Sequence, residues 1–180
     1  YLAEGEKVKR LTEQTVSAFD LSPDGQQLIF LSDQDGERKL YLLSLESGAV
    51  TPFAPEVTNP VEVAWSPQGD RLAVTANRKG DADLFVVGLD GKILSVIADS
   101  PADETSPAWA PDGQWVAFVS TLQGYDQIHL GNGKTTRLLT RQALHHRKPA
   151  WSKDGKLYCL TGEKGYYRLA EVDLNNGQTS

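Results

Sequence analysis

Three observations in the sequence predict an all-β chain of four-stranded sheets stacked radially, a β-propeller. One turn-and-strand is written four times, its strands are apolar on both faces, and no stretch shows a helical period. The turn reads "SPDG" from Ser22, "SPQG" from Ser66, "APDG" from Ala110 and "SKDG" from Ser152, at steps of 44, 44 and 42 residues. Self-similarity at a period of roughly 20–50 residues marks solenoids and propellers, and about 44 residues suits a unit of four short strands.

Each unit begins with a short strand that ends in a large apolar residue: Leu21, Trp65, Trp109 and Trp151. The turn follows. Pro23, Pro67 and Pro111 set φ near about −65° where a type I turn needs it, and Gly25, Gly69, Gly113 and Gly155 close it. Lys153 stands in the proline position of the fourth unit and leaves that turn less preorganised. The second strands, "QQLIFLS", "DRLAVTA", "QWVAFVS" and "GKLYCLT", hold consecutive apolar residues instead of alternating ones. A strand apolar on both faces needs cover on both faces, which sheets packed between similar sheets provide.

A polar glycine turn then leads to third strands in "KLYLLSL", "DLFVVGL", "QIHL" and "RLAEVDL". The third unit lacks about two residues here, which accounts for its 42-residue step. A second glycine turn leads to fourth strands in "AVTPF", "KILSVI" and "KTTRLLT". The repeats thus run over about 15–58, 59–102, 103–144 and 145–180.

"EKVKRLTEQ" at Glu6 to Gln14 matches the fourth-strand pattern but has no unit before it, and "NNGQTS" stops where the last fourth strand should start. Residues 6–14 are therefore expected to form the fourth strand of a preceding or a closing blade. Either the ring has four blades closed by that strand, or the chain is an arc of a larger propeller. An open arc would leave apolar terminal faces well above what a monomer tolerates, so two copies closing one ring is a further expectation. The chain starts at Tyr1 and has no Met, as expected of an excised or processed piece.

The net charge is −6 with pI near 5.0, and no basic run is available to neutralise a series of phosphates. Direct nucleic-acid binding is not expected. No apolar run approaches the roughly 18 residues of a bilayer span, and no signal peptide is recognisable. Cys159 lies in "KLYCL" and is read as a small buried hydrophobe.

The string "PAWAPDG" at Pro107 to Gly113, its counterparts around Trp65 and Trp151, and above all "DETSPAWAPDG" from Asp103 resemble the TolB-like propeller repeat, a relative of the WD repeat. The resemblance covers essentially the whole chain. It implies a non-catalytic protein- or peptide-binding or sensory domain of a bacterial envelope protein or of a membrane-tethered, CadC-like transcriptional regulator, with a periplasmic location. The substrate-gating propeller of a prolyl-oligopeptidase-like serine peptidase is the alternative. These 180 residues hold neither the α/β domain of the envelope protein nor a hydrolase domain.

Catalytic and cofactor motifs are not found. No G-x-S-x-G elbow occurs, and Gly131 to Lys134 is too short for a phosphate loop. "DQDG" at Asp33 to Gly36 opens like a calcium loop, but the twelfth position is Ser44, so an Asp-Gly hairpin is expected. His145 and His146 are adjacent on an extended segment and point to opposite sides, so no shared metal is expected.

The loops that feed the first strands differ from unit to unit and should open at one mouth of the central channel. Repetition explains sameness, so differences at one mouth are where a ring encodes a specific partner. Glu62, Asp103 and Glu104 are expected to accept hydrogen bonds from a protein or peptide partner, and Arg147, with His145, His146 and Lys148 beside it, to hold a carboxylate.

Overall fold

Seventeen strands and no helix make up the described residues of the computed structural model. These are residues 2–4, 7–34, 36–78, 80–121, 124–163 and 165–180, with side chains from residue 10 onward. β1 (Leu2–Glu4) and β2 (Lys7–Lys9) form an antiparallel hairpin. The first sheet holds β3 (Ala18–Leu21), β4 (Gln27–Ser32), β5 (Lys39–Ser44) and β6 (Val50–Phe53). The second holds β7 (Pro60–Trp65), β8 (Arg71–Arg78), β9 (Asp81–Gly88) and β10 (Ile93–Ala98). The third holds β11 (Glu104–Trp109), β12 (Val116–Ser120), β13 (Gln127–Gly131) and β14 (Thr136–Leu138). The fourth holds β15 (His145–Trp151), β16 (Leu157–Glu163) and β17 (Tyr166–Val172). Strands adjacent in the chain are adjacent in each sheet, so all four are antiparallel meanders.

The repeated turn is the same in every unit. The amides of Gly25, Gly69, Gly113 and Gly155 donate to the carbonyls of Ser22, Ser66, Ala110 and Ser152 at 2.8–3.1 Å. These glycines sit at φ between 68° and 85°, a region that costs an L-residue strain. The fourth turn keeps this geometry without the proline.

The apolar second strands serve two interfaces at once. Leu72 and Val74 of β8 pack with Ile29, Leu31 and Leu40 of the first sheet, while Ala73 between them packs with Val116 and Phe118 of the third. Ala117 of β12 turns the other way, onto Leu157 and Cys159 of the fourth sheet. This alternation is what radial stacking of sheets requires. Phe30, Tyr41 and Leu43 form a fourth cluster on the outward face of the first sheet, under Leu11.

The first strands of successive sheets are tied together. Asp20 Oδ2 accepts from the Trp65 amide at 2.7 Å, Trp109 Nε1 donates to the Ala64 carbonyl at 3.1 Å, and Trp151 Nε1 donates to the Ala108 carbonyl at 3.2 Å. The Trp109 and Trp151 side chains are thus both packing groups and crosslinks.

Within the 6–14 stretch, β2 forms and pairs with β1, while β17 pairs with β16 and meets Thr179 at its other edge. Glu6 lies outside the described residues, as do Asp35 of the candidate calcium loop and Lys79, Leu122, Gln123 and Lys164 of the equivalent turns. Gly36 donates to the Asp33 carbonyl at 2.9 Å with φ 85°, a tight turn.

Candidate binding surface at the channel mouth

The first strands start irregularly. Register shifts fall between Pro60 and Glu62, between Thr105 and Ala108, and between Arg147 and Ala150. Such bulges re-aim side chains at sheet ends. Three positions before each closing Leu or Trp stand Ala18, Glu62, Ser106 and Lys148, and Ser106 and Lys148 take φ of 54° and 50°. Non-glycine residues in this region carry strain that the surroundings must hold in place. These four residues, with Val63 and Pro107, line a shallow cavity of about 310 Å³ between the first strands.

The seven residues expected at the mouth separate into groups. Lys148 is exposed and has no acidic partner among the described residues. Asp103 is exposed, with Oδ1 accepting from the Ala82 amide at 3.1 Å. Glu62 is half-buried and accepts from the Ser106 amide, so its carboxylate bridges two first strands at the cavity wall.

Arg147 and His145 reach the surface but are already engaged. Arg147 Nε donates to Asp126 Oδ2, and its guanidinium lies over the Tyr167 ring. His145 Nδ1 lies 3.2 Å from Asp126 Oδ2, and its ring packs edge-on against Tyr125. A partner's carboxylate would therefore compete with Asp126 for Arg147.

Glu104 and His146 correct the expectation, because neither is presented to solvent. Glu104 is 1% exposed and His146 0%. They are equivalent by register, each opposite the polar end of its second strand: Glu104 pairs with Ser120 and His146 with Thr161. The strand has already entered the space between sheets at this point, and alternation turns these side chains inward. Glu104 accepts from Ser100 Oγ at 2.6 Å and Ser120 Oγ at 3.3 Å. Burial raises its carboxyl pKa above the ordinary value, and the nearby Asp83 adds to this against the two serine hydrogen bonds. Burial lowers the His146 pKa, and the His145 ring also disfavours its charged form.

Asp126 was not anticipated, although it organises this rim. It occupies the place in the third unit that Arg38 holds in the first and Ala82 in the second, so its difference from both was the available signal. Cys159 is 1% exposed within the core, and burial pushes its thiol up to about 11, the behaviour of an inert hydrophobe. Among the described residues no group of three His, Cys, Asp or Glu could hold a metal ion.

The family model of the TolB beta propeller domain matches residues 20–180. The chain belongs to the TolB β-propeller family. Among solved structures, TolB from Acinetobacter baumannii is 23% identical with a TM-score of 0.76, covering 98% of this chain and 46% of that one. A protein described as TolB from Agrobacterium tumefaciens is 21% identical with a TM-score of 0.79, covering 90% of this chain and 62% of that one. This TolB-type propeller chain thus spans about half to two thirds of their length. It also superposes on a puromycin-hydrolysing peptidase of Mycobacterium tuberculosis with 20% identity and a TM-score of 0.72, covering 89% of this chain and 28% of that one. No curated protein matches the sequence.

Proposed function

We propose that this TolB-type propeller is a non-catalytic binding domain of a bacterial envelope protein, and that it captures a protein or peptide at the channel mouth. The observation that carries this reading is the cavity between the first strands, where Glu62, Ser106 and Lys148 occupy one repeat position with three different chemistries. A partner there meets an exposed cation at Lys148 and the half-buried carboxylate of Glu62, a pattern that selects by charge. The domain works as an arc of a larger ring, with the β1–β2 hairpin as the outer half of a preceding blade; its length relative to TolB supports this.

A photo-crosslinking residue at Lys148, and as control at Asp154 in the repeated turn, tests the proposal in bacterial envelope extracts. The expected result is a discrete protein adduct from the Lys148 position that fades on Glu62→Gln, which removes the cavity's carboxylate charge and keeps an acceptor for the Ser106 amide. Equal adducts from both positions would count against a mouth-specific partner. Placement in a CadC-like regulator is a variant of the same reading. The superposition on peptidases keeps a second reading open, a propeller gating entry to a hydrolase; short peptides, rather than folded proteins, would then be the species captured.

A further inference from the structure

Where the outer strand of one sheet crosses to the first strand of the next, the crossing loop passes the start of the third strand. Between the second and third sheets this gap is closed by Asp103 Oδ1 accepting from the Ala82 amide. Between the third and fourth it is closed by Gln127, whose Nε2 donates to the carbonyls of Gln142 and Leu144 at 3.1 and 2.9 Å. Register places Lys39 where the later units have Asp83 and Gln127, and Arg38 where they have Ala82 and Asp126. At this first crossing no hydrogen bond among the described residues joins Arg38 or Lys39 to the 54–59 loop. A cavity of about 570 Å³ lies there instead, with Arg38, Lys39, Tyr41, Phe53, Pro55 and Asn59 in its wall.

We propose that this cavity receives the carboxylate of an extended peptide with an apolar residue beside it. Among the described residues Arg38 Nε is buried without a hydrogen-bond partner, and the Lys39 ammonium has only a loose, exposed contact with Glu37 at 4.0 Å. Arg38 and Lys39 thus contribute to a concave wall that also holds proline and aromatic carbon, at a volume typical of ligand pockets. The planar Arg38 fork suits a carboxylate, and the negative charge of Glu37, also in the wall, disfavours a dianion such as a phosphate monoester. Ala54 and Asn59, both in the wall, hold φ of 46° and 49°, so the loop is set in a strained shape around the cavity. The site shares no residue with the channel-mouth cavity and stands independently of it.

The test is a titration of the chain, followed by amide chemical shifts, with three probes: acetyl-Ala-Ala-Phe as free acid, the same peptide as C-terminal amide, and acetyl-Ala-Glu-Phe amide. The acid, the Glu peptide or both should shift Ala54 and Asn59, with the plain amide about tenfold weaker or more. Which of the two carboxylates binds identifies its source as a chain terminus or a side chain. Arg38→Met should weaken that binding by about tenfold or more, with Arg38→Lys between. The proposal is overturned if the plain amide binds as well as the acids, if neither acid binds at about 10 mM, if Arg38→Met binds unchanged, or if the shifts centre on Ser106 and Lys148. The acid–amide contrast needs no substitution, so it decides the matter even if a variant loses its native spectrum.

Discussion

Glu104 holds an acid between two sheets with Oε1 satisfied by two serine hydroxyls and Oε2 buried without a partner among the described residues. A carboxyl whose folded pKa lies above its ordinary 4.5 favours folding in its protonated form. Its contribution is therefore present below that value and lost as pH rises through the folded value. Glu104→Gln keeps both serine hydrogen bonds and removes the charge. It should be at least as stable as the parent at pH 7, with a flatter pH dependence above 4.5. Glu104→Ala strands Ser100 and Ser120 and should cost about 1–3 kcal/mol. Urea denaturation at pH 5 and pH 8 measures both; a Gln variant as unstable as the Ala variant would show that the charged form is what the site stabilises. His146 works with the opposite sign, since its lowered pKa protects the fold above its ordinary 6.5 and weakens it as pH falls below. Neither role was readable from the chain, because charged and polar residues in a loop-like stretch are normally placed outside, and only folding brings Ser100 and Ser120 to one carboxylate.

At the scale of the strand, the tryptophans ending the last three first strands couple neighbouring sheets unequally. Trp109 and Trp151 each donate an indole N–H to the preceding first strand, whereas Trp65 Nε1 is buried without a partner among the described residues and that interface uses Asp20 instead. Replacing Trp109 or Trp151 with Phe should each cost about 1–2 kcal/mol for the lost hydrogen bond and smaller ring, and the two losses should nearly add because they act at different interfaces. Trp65→Phe forfeits no hydrogen bond and should cost less. Midpoints of denaturant unfolding compare the three, and an equal loss at all of them would assign the whole effect to packing. The strands themselves were legible: every quoted second and third strand overlaps an observed strand, with ends that differ by one or two residues, because consecutive apolar residues and punctuating glycines are local signals. The bulges at Ser106 and Lys148 were not, since their φ is imposed by a neighbouring strand.

Across the whole molecule, the second and third sheets are covered on both faces, while the fourth presents Leu169 at 74% exposure. In a repeat architecture each sheet's stability depends on its neighbours. Amides of β8, β9, β12 and β13 should exchange with deuterium slowest, and those of β17 about tenfold faster or more. Peptide-resolved exchange mass spectrometry would show this gradient, and protection of β17 equal to that of β9 would mean that its open face is covered in solution.

By itself the sequence determined the repeat, the order of strands, the turn chemistry and the need for cover on both faces of the second strands. All of these follow from contacts within a few residues and from a period that the chain states outright. Only the tertiary structure decided that Glu104 and His146 face inward, that Asp126 holds Arg147, and that a cavity lies at the first crossing. Those outcomes depend on residues about 15–45 positions apart meeting between sheets, and which atoms meet there is set by bulges and loop paths that no local pattern encodes.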